Sequence, residues 1–338
     1  MSRKEAYGYA VARIRAMEQR LLDAAAFARL LDAEDTASVL KILGETSYAS
    51  VLTSVSGESG FDKVLETALH DTYEEISSFV PDKGLIDLLR LQYDFSNVKV
   101  MLKSLFNARS GGKKRWDLLT SLASYSVDRL ISDAEAEEYQ LLPFGLNTLY
   151  PRCISVWEQS KDVLEAERLL DRQMFEVMLK DAKALGMPEI LDWVRTRIDG
   201  ENIRSLLRLK RFGYDAARAL PFMHEGGKID LNVLVPMISE PFETWGRMID
   251  FTDLSPLLGQ VDSAAGFAEI IMDIERALDD FYLDSIAKSK YSPDAPGNVI
   301  AYLWAKELEV KNIRMIFVSK SNRQDKDQVR RLLRHVYV

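Results

Sequence analysis

"DFSNVKVMLK" (94–103), "DGENIRSLLR" (199–208) and "EVKNIRMIFV" (309–318) each carry an acid, an asparagine three residues later, an aliphatic residue and then a base. Numbering each stretch from its asparagine and advancing about 100° per residue gives a helical wheel. Apolar residues occupy position −8 (Leu89, Val194, Trp304), −4 (Tyr93, Ile198, Leu308), +1 (Val98, Ile203, Ile313), +4 (Met101, Leu206, Ile316) and +5 (Leu102, Leu207, Phe317). They fill an arc from about −80° to about 140°. The asparagine and the acid fall inside that arc, and the base at +2 (Lys99, Arg204, Arg314) points away from it. A buried carboxylate or amide is costly unless hydrogen-bonded. The pairs Asp94 with Asn97, Asp199 with Asn202, and Glu309 with Asn312 are therefore expected to be buried polar clamps. Each should meet a helix N-terminus, a hydroxyl or an arginine within its own domain. A proton or metal site there would need convergent ligands from elsewhere, and none is evident in the sequence.

The asparagines lie 105 and 110 residues apart, far beyond solenoid periods, so the repeating unit is a whole domain. A second anchor agrees: Glu66, Glu167 and Glu275 are followed by Leu69, Leu170 and Leu278, which precede the asparagines by 28, 32 and 34 residues. Each copy reads as helix, turn, helix. Pro81, Pro188, and Pro293 with Pro296 mark the turns. Linkers are expected at "NARSGGKKR" and "FGYDAARALPFMHEGG", giving domains 1–112, 113–215 and 216–338. Near the start, Tyr7, Ala10, Ile14, Met17 and Leu21 predict an amphipathic helix, with Arg13, Arg15, Glu18 and Arg20 between them. In "AEDTASVLKILGE", Asp35 or Thr36 caps a short helix that stops at Gly44. No run alternates Val, Ile or Thr long enough for a convincing strand, and the fold class is all-α.

Composition narrows the function. With 47% apolar and 28% charged residues, 338 residues can bury substantial cores. No stretch approaches the roughly 18 apolar residues of a spanning helix, and no secretory signal is visible. A single cysteine, Cys153, excludes an internal disulfide and a cysteine-rich zinc site and fits a cytoplasmic protein. The net charge of −8 opposes nucleic-acid binding, and the basic cluster "GGKKR" (111–115) reads as a solvated linker. That cluster lacks the preceding glycine and the strand of a phosphate-binding loop. His70, His224 and His335 stand in unlike contexts, and the Glu66 to His70 spacing is not that of di-iron bundles.

"AYGYAVARIRAMEQRLL", "LLRLQYDFSNVKVMLK", "DGENIRSLLRLKRFG" and "AYLWAKELEVKNIRMIFVSKSN" together resemble the C subunit of the bacterial and archaeal V/A-type ATPases, counterpart of the d subunit of eukaryotic vacuolar ATPases. The resemblance runs from about Tyr7 to about Leu333. It implies three similar helical domains forming a funnel around a pseudo-threefold axis. It also implies a non-catalytic central-stalk (rotor) subunit, peripheral to the membrane on the cytoplasmic side. The implied partners are the proteolipid ring and the shaft subunits D and F, in a complex coupling ATP synthesis or hydrolysis to proton or sodium transport. No cofactor, catalytic residue, nucleic acid or small-molecule substrate comes with it. The departures are Glu309 where the other copies have Asp, and Gly200 inside the middle motif, where a kink or helix start is expected.

Two other classes remain. In "LDDFYLD", Asp279, Asp280 and Asp284 approach the magnesium motif of all-α isoprenoid-type synthases, but the required second motif is missing. A generic helical adaptor is the other alternative.

Overall fold

The computed structural model describes residues 3–53, 60–262 and 265–338; among them are helices and turns and no strand. The first helices are α1 (Arg3–Glu18), α2 (Ala24–Asp32), α3 (Thr36–Leu43), α4 (Ala49–Leu52), α5 (Phe61–Ser77), α6 (Gly84–Arg109), α7 (Val127–Ala136) and α8 (Leu146–Ser160). They are followed by α9 (Val163–Leu185), α10 (Pro188–Arg211), α11 (Ala216–Ala219), α12 (Leu231–Leu234), α13 (Trp245–Met248), α14 (Ser255–Gln260), α15 (Phe267–Ala287), α16 (Gly297–Ser321) and α17 (Lys326–Leu332). No described helix is long and apolar enough to cross a membrane.

Local chemistry sets the boundaries. Asp35 is the cap of α3, its carboxylate accepting from the Ser38 N–H at 2.8 Å, and α3 stops at Gly44. Asp162 caps α9 in the same way, and α9 ends on Gly186 at φ +64°, a left-handed position that glycine adopts without strain. Pro188 then opens α10 at a position where its missing N–H costs nothing, so the chain reverses within two residues. The break before α16 contains Pro293 and Pro296 and is tied by Asn298, whose Nδ2 donates to the carbonyls of Ser289, Ser292 and Ala295 at 3.0 Å each. α10 runs uninterrupted through the buried Gly200, so no helix start lies there.

Packing divides the chain into two compact units, Met1–Lys83 with Pro241–Val338, and Gly84–Glu240. In the second, α9 lies between α6, α8 and α10. Its core includes Leu89, Val98, Leu170, Met178 and Ile203, with Phe106 stacked on Trp157 at 4.0 Å. In the first, α16 is the axis, packed by α1, α5 and α15 and touched by α2, α3 and α17. Phe61 stacks on Phe317 at 3.7 Å. The wheel predicts a one-sided stripe, but the first half of α16 is buried nearly all round, from Gly297 to Lys306, because neighbours surround it. In α1 the expected apolar residues Tyr7, Ala10, Ile14 and Met17 are buried. Glu18, expected on the polar face, is buried as well, bonded to Arg15 at 2.5 Å.

Candidate functional site

The repeated acids and asparagines are built into three closures that pin a loop against a long helix. All six side chains are at most 5% exposed. In the first, the Asn97 Nδ2 donates to the Thr120 carbonyl and its Oδ1 accepts from the Thr120 N–H, both at 2.9 Å. In the second, Asn202 makes the same two bonds to His224, both at 2.8 Å. In the third, Asn312 makes them to Arg334 at 3.0 and 2.8 Å. The partner residue lies 23, 22 and 22 positions downstream. A primary amide presents one donor and one acceptor side by side, which matches the N–H and C=O of a single extended residue. Neither a carboxylate nor an aliphatic side chain can make both bonds.

The acids complete the closures. Asp94 accepts from the N–H groups of Ser124 and Tyr125 at 2.9 and 3.0 Å and from the Ser124 hydroxyl at 2.8 Å. Asp199 accepts from the N–H groups of Lys228 and Ile229 at 2.8 and 3.1 Å. Burial raises the pKa of Asp94, opposed by those hydrogen bonds, and pushes Asp199 up to about 6. Gly227 permits the second closure, because a Cβ there would lie 2.0 Å from the Asp199 Oδ1. His224 is buried beside Phe175, with ring centroids 4.4 Å apart, and burial lowers its pKa to about 4.

The third closure is wired differently. Glu309 reaches back along the chain: its Oε2 accepts from the Leu22 N–H at 2.5 Å and its Oε1 from the Tyr48 hydroxyl at 2.8 Å. Lys306, equally buried, donates to the same Oε1 at 2.6 Å and lies 4.3 Å from the Tyr48 ring centroid. Burial, then the Glu309 charge, drives the Tyr48 pKa well above its ordinary value. One residue beyond Arg334, the His335 N–H is held by Asp280 of α15, which accepts from it at 2.7 Å. Asp280, His224, Gly227, Lys306 and Tyr48 had no assigned place in the wheel. Lys306 was the most findable, a lone cation inside the apolar run "VIAYLWAKELEV".

The third asparagine meets its partner, Arg334, inside the expected domain 216–338, whereas the other partners lie across an expected boundary. Thr120 and Ser124 follow the 112/113 boundary, His224 and Lys228 follow 215/216, and Leu22 and Tyr48 lie in the first hundred residues. The two linkers expected from composition fall between α6 or α10 and the loop that its asparagine holds.

Asp94, Asp199 and Glu309 each have both carboxylate oxygens engaged by the chain itself, a geometry that fixes segments of the backbone. Asp279 binds Lys311 at 2.9 Å and Arg334 at 3.0 Å, and Asp280 and Asp284 both face His335. With Asp279 bound by two cations and Asp280 3.5 Å from Arg276, these aspartates do not form a set of open carboxylates facing one magnesium site. Among the described residues no group of three or more His, Cys, Asp or Glu converges as a metal site. In the basic cluster, Lys114 pairs with Glu135 and Arg115 with Asp117.

The repeated buried polar residues thus join helix to loop in an all-helical scaffold. Comparison with known proteins is specific: the profile of the ATP synthase (C/AC39) subunit family matches residues 10–332, and this chain belongs to that family. It is 26% identical to the C subunit of the A-type ATP synthase of Methanocaldococcus jannaschii, over 97% of this chain and 86% of that one. It is 24% identical to the C subunit of the V-type sodium ATPase of Enterococcus hirae, over 96% and 97%. With the C subunit of the V-type ATP synthase of Thermus thermophilus the identity is 24%, over 92% and 93%.

Proposed function

We propose that this chain is a non-catalytic central-stalk subunit of a V/A-type rotary ATPase, a socket that seats the shaft of subunits D and F on the proteolipid ring. The observation that carries the reading is the family match across residues 10–332. The reading covers ATP-linked transport of protons or sodium, at the cytoplasmic face of the membrane. Three similar helical domains around a pseudo-threefold axis would offer a cavity to a narrow shaft and a rim to a wide ring. Each domain is taken as a long helix pair together with the loop that its asparagine holds. Torque transmission demands stiffness, and the three closures serve it: each pins a loop to a long helix through a buried amide that bonds both backbone groups of one residue. The carboxylates hold chain segments, and no nucleotide chemistry is assigned to them.

The test is depletion and restoration. Membranes lacking the subunit should retain ATP hydrolysis in the soluble sector and lose ATP-driven ion uptake, and the purified chain alone should restore uptake with no cofactor added. Coupled uptake in its absence, or nucleotide turnover by the isolated chain, would sink the reading. Co-purification with partners other than ring or shaft subunits would favour a generic adaptor.

A further inference from the structure

In the first two closures the helix and the loop it holds are neighbours in sequence, so the acid at each has only local chain to hold: Asp94 bonds residues 30 and 31 positions ahead, Asp199 residues 29 and 30 ahead. In the third, Glu309 bonds Leu22 and Tyr48, 287 and 261 positions away. These two contacts lie at the start and near the end of a continuous segment, residues 22–52, containing α2, α3 and α4. Its start matches the chain just beyond the second closure. The bonded Ile229 N–H is succeeded by Asp230, the cap of α12; the bonded Leu22 N–H is succeeded by Asp23, the cap of α2. We infer that residues 22–52 are a strap that completes the third copy from the far end of the sequence, and that Glu309 is the catch that holds it shut.

The strap has other attachments. Lys320 of α16 donates to the Leu31 carbonyl at 2.6 Å, and Lys326 pairs with Asp32 at 3.1 Å. The second is exposed and contributes little. Glu309 is different because one side chain, 5% exposed, touches both ends of the strap and also neutralises the buried Lys306. Its extra methylene relative to aspartate serves this reach. The strap also buries Phe27, Leu30, Leu31, Val39 and Leu43 in its own unit, and a segment held as one piece can open sub-globally without unravelling the helices it rests on. Loss of the Glu309 catch is therefore expected to loosen the strap ahead of the rest of its unit, while α15 and α16 remain paired.

Hydrogen exchange on the full-length protein tests this. Removing one charge would strand the other, so the variant is the double E309L/K306M, which deletes both and leaves no acceptor for the Leu22 N–H or the Tyr48 hydroxyl. The expected result is exchange about tenfold faster across residues 22–52, with residues 84–240 changed less than about twofold. Unchanged exchange in 22–52, or acceleration spread evenly through the chain, would overturn the inference. Should the double variant not fold, Tyr48→Phe removes one donor and keeps the ion pair. It should accelerate exchange about threefold in the same segment and nowhere else, and no change there would count equally against the catch.

Discussion

Replacing Asn202 by leucine isolates the contribution of a closure. The asparagine is 1% exposed and its amide satisfies both the N–H and the C=O of His224, a residue itself only 6% exposed. Leucine is of comparable size and leaves both backbone groups without partners. The two unsatisfied buried groups cost about 1–3 kcal/mol each, while the added apolar burial returns about 1–2 kcal/mol, so the middle of these ranges is a net loss of roughly 2–3 kcal/mol. In a unit of this size that corresponds to a fall of about 2–4 °C in melting temperature for each kcal/mol. Urea unfolding followed by far-ultraviolet circular dichroism measures it, with Asn202→Asp as companion. Aspartate keeps the acceptor, loses the bond to the His224 carbonyl and adds a second carboxylate next to Asp199, so it should cost more than leucine. Asn97→Leu and Asn312→Leu break the same pair of bonds at Thr120 and Arg334 and should fall in the same range. An Asn202→Leu protein within about 0.5 kcal/mol of the parent would mean that His224 finds other partners at no cost, and the closure argument would fail.

Gly227→Ala would set a methyl against the Asp199 carboxylate, displacing loop or helix at a cost of about 1–3 kcal/mol by the same unfolding assay. Around the second closure two titrations oppose each other. Asp199, raised to about 6, contributes stability that is complete below its unfolded value near 3.8 and lost as pH rises through 6. His224, lowered to about 4, contributes stability that is complete above 6.5 and lost as pH falls through 4. Each amounts to about 3 kcal/mol, so they largely cancel in the parent. The stability difference between parent and His224→Gln should therefore shrink as pH is lowered from 7 to 4; a difference independent of pH would refute the assignment. Magnesium with inorganic diphosphate should leave the melting temperature within about 1 °C, since Asp279 is already bound by Lys311 and Arg334; a clear rise would revive the synthase alternative.

The helical class, the threefold recurrence of the motif and the burial of its members are legible in one dimension, because helical periodicity is local and a polar residue inside an apolar arc stands out in the linear order. The caps at Asp35 and Gly44 and the turns at Pro81, Pro188 and Pro296 were legible for the same reason: each acts on backbone within a few residues. The partners were not. An asparagine at position 0 declares that it needs a donor and an acceptor, but the backbone groups of Thr120, His224 and Arg334 that supply them are chemically like every other residue's. Gly226 and Gly227, beside the second loop, were the one local signal, and they read equally well as linker. At the first two closures, polar composition suggests a linker where hydrogen bonds join helix and loop. Most hidden was the pairing of Glu309 with Leu22 and Tyr48. Contact across so long a separation comes from how the helices pack around α16, because burial of one chain segment against another is a property of their joint geometry and not of either sequence alone.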